Sequence, residues 1–325
     1  MKRIFLITGI FTCLCNLVYS GSLKVDVNAI GTPIIAQATA VAQLVIDQKA
    51  TTKNAYVWVL NPQGTPTGVT FYGGGVFSIS QPYLYSIAEG DIAGHNNFSK
   101  IAFNPDIGTT QETIWSHGGE YVYPPVTGTA LEVVSDSAGD ILGSSTGIWG
   151  VYVEYLDTNY DPKTAYVYLS GTAAQQVTGV TASRINGFRV WTGDGVGRPA
   201  GNITLRHSGG GTVYSYITAG YTRARSSVYT VARGKTLFVT SVSFSAVGSK
   251  YVRFTSQATY DTYRGVTTKA GILFYPFTEM FLLNSSFTKT LEVPTKFPAY
   301  TDLKISGISD GTSALCTANY AGWIE

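Results

Sequence analysis

The triplet Gly234-Lys235-Thr236 has the residue types of a phosphate-binding loop, in which successive backbone N–H groups cradle the anion and a lysine reaches toward it. Such a loop needs a glycine five positions ahead of the triplet and a helix behind it, so that the helix N-terminus meets the ligand. Tyr229 stands where the glycine belongs, and "LFVTSVSFSAV" after it alternates like a strand. The triplet is therefore read as a turn that starts a strand, with Lys235 in solvent. "GDGVGR" (193–198) fails as a dinucleotide fingerprint in the same way, because Arg198 takes the third glycine position and no βαβ pattern surrounds it.

Asp157, Asn159 and Asp161 alternate as the ligands of a calcium loop do. The glycine required next is Pro162, and the bidentate carboxylate required at the twelfth position is Tyr168. A hairpin turn is the favoured reading, with monodentate capture of a calcium ion as the alternative. Asp136 and Asp140 in "SDSAGD" either cap turns or share an ion, and turns are the commoner use of such a cluster.

Nucleophilic or acid–base catalysis needs a base beside a nucleophile, and the histidines are His95, His117 and His207. Ser116 adjoins His117, but neighbours on a strand face opposite ways, which argues against a dyad. Neither a G-x-S-x-G elbow nor an H-E-x-x-H pair occurs. The chain is read as non-enzymatic, with no catalytic residue and no cofactor expected. A hydrolase or lyase would need carboxylates that folding brings to within about 5 to 9.5 Å of each other.

Charged residues make up only 13 % of the chain, against roughly 25 % for an ordinary soluble domain. Twenty-two Lys and Arg against 20 Asp and Glu leave a net charge of +2, with no basic stripe to meet nucleic acid. Five tryptophans and 22 tyrosines stand out instead. Alternating with small and β-branched residues, they read mainly as core and interface filler. The candidates for contact with a ligand or another subunit are Tyr152, Tyr166 and Tyr168, on outward strand positions, and Trp191, beside a Gly-rich loop.

The elements that would carry these residues are strands. From Tyr56 onward, runs of Val, Ile, Tyr, Phe and Thr are separated every ten residues or so by Gly, Pro, Asn or Asp. In 150–172, Val151, Val153 and Tyr155 alternate with Tyr152 and Glu154, and Ala165, Val167 and Leu169 alternate with Tyr166 and Tyr168, a hairpin with one face inward. Likewise Phe238, Val242, Phe244 and Ala246 share one predicted face, and Ser241, Ser243 and Ser245 the other. "TPIIAQATAVAQLVIDQKA" (32–50) holds the one plausible helix, although its β-branched residues allow a strand equally.

The first residues, "MKRIFLITGIFTCLCNLVYSGS", combine two cations, an apolar run and small residues before Gly21, the layout of a signal peptide. The run is too short for a stable membrane span. If cleavage follows Ser20, Cys316 alone remains and is expected to be a small buried residue. The alternative is an apolar N-terminal element that stays in place. The whole reads as all-β: residues 1–20 as leader or apolar element, 21–110 as a β-rich segment, then antiparallel sandwich or jelly-roll domains at 111–224 and 225–325.

Five segments in order, "ETIWSHGGEYVYPP" (112–125), "LEVVSDSAGD" (131–140), "VYVEYLDTNYDPKTAYVYLSGT" (151–172), "RINGFRVWTGDGVGRPAGNITLRHSGG" (184–210) and "SVYTVARGKTLFVTSVSFSA" (227–246), resemble a group of tailed-phage virion structural proteins. The resemblance covers about 106–250, with Ala232 where that group usually has proline. It implies a structural role as a capsid-decoration or tail or fibre component, and partners that are copies of the chain or other virion proteins, with the virion as location. The other class consistent with the leader and the aromatics is a secreted or cell-surface sandwich that binds glycan.

Overall fold

The computed structural model describes residues 92–325 apart from 194–196, 263–265, 268–272 and 312, with backbone alone at 266–267; ahead of residue 92 it describes six short strands and one helix. The leader at 1–20 lies outside the described residues. The fold is all-β with antiparallel sheets, and contacts divide the chain into Met1–Asp91 and Ile92–Glu325.

In the first unit the strands pair as hairpins: β1 (Gly21–Val27) with β2 (Thr32–Ala38), β3 (Leu44–Gln48) with β4 (Ala55–Val59), and β5 (Val69–Thr70) with β6 (Val76–Phe77). The run 32–50, open to helix or strand on sequence, supplies β2 and β3, in keeping with Ile34, Ile35, Val45 and Ile46, whose branched side chains are stiff at χ1. The helix of this unit is instead α1 (Tyr83–Glu89), closed by Gly90 at φ 82°, whose amide donates to the Ile87 carbonyl at 3.1 Å.

The second unit opens with β7 (Asn96–Ile107) and β8 (Glu112–Thr113). It then builds a sandwich from β9 (Leu131–Ser135), β10 (Ile148–Leu156), β11 (Pro162–Tyr168), β12 (Gln175–Gln176), β13 (Arg184–Gly193), β14 (Ile203–His207) and β15 (Val213–Ile217). One sheet runs β11-β10-β13 and the other β12-β9-β14-β15. Val151, Val153, Val167 and Phe188 from the first meet Leu131, Val133, Ile203 and Leu205 from the second in one core.

After this come β16 (Tyr229–Thr230), β17 (Leu237–Ala258), the short hairpin β18 (Tyr260–Asp261) and β19 (Val266–Thr267), β20 (Tyr275–Phe297), β21 (Asp302–Ser309) and β22 (Ala314–Ile324). One edge of β17 pairs with β20 along its length; the other pairs with β22 over 237–247 and with β21 over 252–258. Ten residues of extended strand span about 33 Å, yet the rings of Phe244 and Phe254 stack 5.1 Å apart. β17 therefore doubles back, and the change of partner brackets Gly248 at φ 150°, a backbone conformation that glycine adopts without strain. Its two halves face each other across a second core that includes Phe98, Val242, Leu303 and Tyr320.

A bulge corrects one expectation. Val239 pairs with Gly322 and Ser241 with Ala321, so Thr240 is an extra residue in β17. The inward set is accordingly Leu237 and Val239, then Val242, Phe244 and Ala246, while Phe238 lies on the outer face and stacks on Trp323 at 4.9 Å. Gly322 permits the bulge, because a Cβ there would lie 1.8 Å from the Phe238 carbonyl oxygen.

The order of strands also differs from a simple succession of domains. β7, placed in the N-terminal segment on sequence, is hydrogen-bonded to β22, and β8 and β16 both line the same edge of β21. The first sandwich thus leaves the second after β8 and rejoins it at β16. Its neck is closed by the bridge between Trp115 and Ser226 and by packing of Trp115, Tyr121 and Val228.

One buried ion pair crosses between the sandwiches. Arg184 at the start of β13 donates through Nε and Nη2 to the two carboxylate oxygens of Asp302 at 2.8 and 2.9 Å, and through Nη1 to the Pro124 and Ser183 carbonyls. Asp302 also accepts from Thr230 Oγ1 at 2.6 Å. Burial pushes the guanidinium's pKa down, but the hydrogen bonds and charge of Asp302 outweigh it and the net shift is upward. Removing one partner of such a pair leaves an uncompensated charge, at about 3 to 5 kcal/mol. We expect Arg184→Met and Asp302→Leu each to lose stability of that order in denaturant unfolding, and the double variant to lose less than the sum. Unfolding midpoints unchanged in both singles would show that the pair is not the tie.

Candidate functional site

The four aromatics singled out on sequence come together on the outer face of the β11-β10-β13 sheet. Strand pairing sets Tyr152 opposite Tyr166 and Gly150 opposite Tyr168, while the alternate residues Val151, Val153 and Val167 enter the core. Ring centroids lie 5.0 Å apart for Tyr152 and Tyr166, 4.9 Å for Tyr166 and Trp191, and 5.2 Å for Tyr168 and Trp191. The planes are inclined at 50 to 61°, with Tyr166 and Trp191 edge to face and the other two pairs tilted, so the rings do not form a flat shelf. Tyr166, Tyr168 and Trp191 are 57, 51 and 44 % exposed, which makes this an apolar surface and not core filler. Trp115, of the same residue type, is buried at the neck.

Two glycines shape the patch. A Cβ on Gly150 would lie 2.9 Å from the Val167 carbonyl oxygen and 3.2 Å from Cε3 of Trp191, so the indole rests where a side chain would otherwise stand. A Cβ on Gly187 would overlap the Glu154 carboxylate in the same manner. Arg189 completes the border, with its guanidinium 4.6 Å from the Tyr152 ring centroid and Nη2 2.9 Å from Glu154 Oε1. Sequence reasoning left Arg189 out, although its position two residues before Trp191 on β13 already suggested a shared face. β11 forms the edge of its sheet.

The carboxylates considered for metal are engaged elsewhere. Asp157 Oδ1 accepts the amides of Asn159 and Asp161 at 2.8 and 3.0 Å, an Asx turn that places Tyr160 at φ 63°. Asp161 pairs with Arg233 at 2.8 Å. Asp136 accepts both the backbone and side-chain N–H of Asn202, and buried Asp140 accepts Ser135 Oγ and the amides of Ile148, Ala200 and Gly201. Among the described residues no group of three or more His, Cys, Asp or Glu is placed to hold a metal ion.

The other motifs resolve as structure. Gly234 turns the chain at φ 71°, the Lys235 amide donates to the Ala232 carbonyl at 3.1 Å, and β17 follows. His117 packs between Trp115 and Tyr216, while Ser116 Oγ donates to the Arg225 carbonyl at 3.3 Å, so the two adjacent side chains have separate partners. His95 contacts Glu325 at 3.1 Å and His207 contacts Thr129 at 2.6 Å. Cys316 is buried in the second core, where loss of hydration and then the Glu112 charge push its thiol up to about 12, away from a reactive thiolate.

No protein-family model matches the chain, and no curated protein is similar enough to it to count as a match. No helix among the described residues is long and apolar enough to cross a membrane.

The seat of Trp191 can be tested by filling it. Gly150→Ala should cost about 1 to 3 kcal/mol by overpacking, and should shift tryptophan emission as the indole moves off the strand. A variant with wild-type melting temperature and emission would mean that Gly150 does not set the patch.

Proposed function

We propose that the chain is a non-enzymatic structural component of a tailed-phage virion, a capsid-decoration or tail or fibre protein that works by contact with copies of itself or with other virion proteins. The observation that carries this reading is the exposed cluster of Tyr166, Tyr168 and Trp191, with inclined rings in mutual contact on the outer face of the sheet that β11 edges. Rigid aromatics lose little side-chain entropy on docking and bury much apolar area, which is why interfaces favour them. The inclined rings suit an irregular protein surface. Exposed Phe281, Leu283 and Val293 along β20, which among the described residues pairs with β17 alone, extend the same character to the second sandwich.

The test is the triple variant Tyr166→Ser, Tyr168→Ser, Trp191→Ser, compared with wild type by sedimentation velocity and by incorporation into particles. The side chains are exposed, so the variant is expected to fold and melt close to wild type while losing assembly. A folded variant that still assembles would remove the proposal.

The second reading, a secreted or cell-surface module that binds glycan, is favoured by one observation: the Arg189–Glu154 pair offers hydrogen-bonding groups at the margin of the exposed indole and phenols. Under this reading the protein acts outside the cell and its leader is removed. A glycan array probed with the folded wild-type chain separates the two: binding that disappears in Trp191→Ser supports the glycan module, and silence across the array leaves the subunit-contact reading.

A further inference from the structure

A cleft of about 280 Å³ opens between the two sandwiches, with β7 on one side and β13 with the 223–224 segment on the other. Both walls are rigid ladders. β7 is hydrogen-bonded to β22, and the chain at Thr222 and Ala224 exchanges backbone hydrogen bonds with Val190 and Phe188 of β13 at 2.7 and 2.8 Å. The cleft spans a contact held by Asn186, whose side chain donates to the Thr230 carbonyl at 2.8 Å and accepts the Thr230 amide at 2.9 Å.

Its charges do not balance. Lys100, Arg189 and Arg223 line it together with Glu154, the sole acidic residue of the lining among the described residues. Arg189 already pairs with Glu154 at 2.9 Å. The Lys100 ammonium donates to the Asn186 carbonyl oxygen, a neutral acceptor, which leaves its other donors for a ligand. Neither Lys100 nor Arg223 has an ion pair among the described residues. Burial, and to a smaller degree Arg223, lower the Lys100 pKa to about 8 against the opposing pull of Glu154. Burial of the Lys100 ammonium against a neutral acceptor costs stability, which an anion shared with the exposed Arg223 on the facing wall would relieve.

We propose that this cleft is a binding site for a doubly charged oxyanion, a phosphate or sulfate group, held by Lys100 and Arg223 with Arg189 at its margin. Two unpaired positive charges match a dianion, and guanidinium and ammonium donors are the groups that hold such oxygens. The cleft shares Arg189 and Glu154 with the border of the aromatic patch but needs no assembly of subunits. The anion is either a free ion or the charged group of a larger molecule, and the cleft is open to solvent at Arg223.

The experiment is calorimetric titration of the full chain with sodium sulfate, inorganic phosphate and a sugar phosphate, at ionic strength held constant with chloride. Saturable binding is expected, weakened at least tenfold in Lys100→Gln and in Arg223→Gln, since a hydrogen bond between charged groups contributes about 1.5 to 3 kcal/mol. Lys163→Gln, an exposed lysine on β11, should bind as wild type. A sugar phosphate tighter than inorganic phosphate would assign the site to a substituted anion, and equal affinities to the free ion. Sulfate carries the same charge across this range, so its affinity should fall as pH rises through about 8, where Lys100 loses its proton beside Glu154, Arg189, Arg223 and Tyr229. That profile should flatten in Lys100→Gln. Absence of saturable binding, or equal weakening in Lys163→Gln, overturns the proposal, and melting curves of each variant exclude misfolding as the cause.

Discussion

The second unit depends on the buried pair of Arg184 and Asp302. Arg184 begins β13, Asp302 begins β21, and the two carboxylate oxygens are shared among a bidentate guanidinium and the Thr230 hydroxyl. Tyr123 and Tyr160 place their rings 5.1 and 5.4 Å from the guanidinium, so the charge is enclosed by aromatic surface as well as by its partner. Desolvation makes such a pair a poor source of net stability, but its geometry admits few alternatives, and it sets how one sandwich meets the other. Everything of functional interest lies downstream of that registration. β13 carries Asn186 and Arg189 to the cleft and Trp191 to the outer face within eight residues of Arg184.

The second constraint is the doubling of β17. A strand that pairs with β20 throughout and changes partner midway from β22 to β21 makes both layers of one core from a single hairpin. The bulge at Thr240 keeps the inward face inward through that course. Without it Val242, Phe244 and Ala246 would turn outward, and each fully buried Val or Phe is worth about 1.5 to 3 kcal/mol.

Much of this was legible in the sequence where the signal is local. The alternation in 150–168 fixed both the hairpin and the outward direction of Tyr152, Tyr166 and Tyr168, and the failed spacing before Gly234 fixed the turn. The all-β class followed from the spacing of turn residues. Non-local facts were not legible. Pairing of 96–107 with 314–324 joins segments more than two hundred residues apart, and no periodicity announces it. Phe238 was misplaced because a bulge changes parity without changing composition. Arg184 and Lys100 look like ordinary strand cations until folding removes their water, and Trp115 and Trp191 are indistinguishable until one meets Tyr121 and the other meets solvent.

The central claim is that the Tyr166, Tyr168 and Trp191 face is covered when the protein is at work. Hydroxyl-radical footprinting with mass spectrometry reads those side chains directly, in the particle that the proposed function predicts and in the dissociated chain. Oxidation of all three in the free chain, and strong protection in the particle, is the predicted result. Equal oxidation in both states would contradict the account, because the face would then be open to water where it is supposed to be in contact.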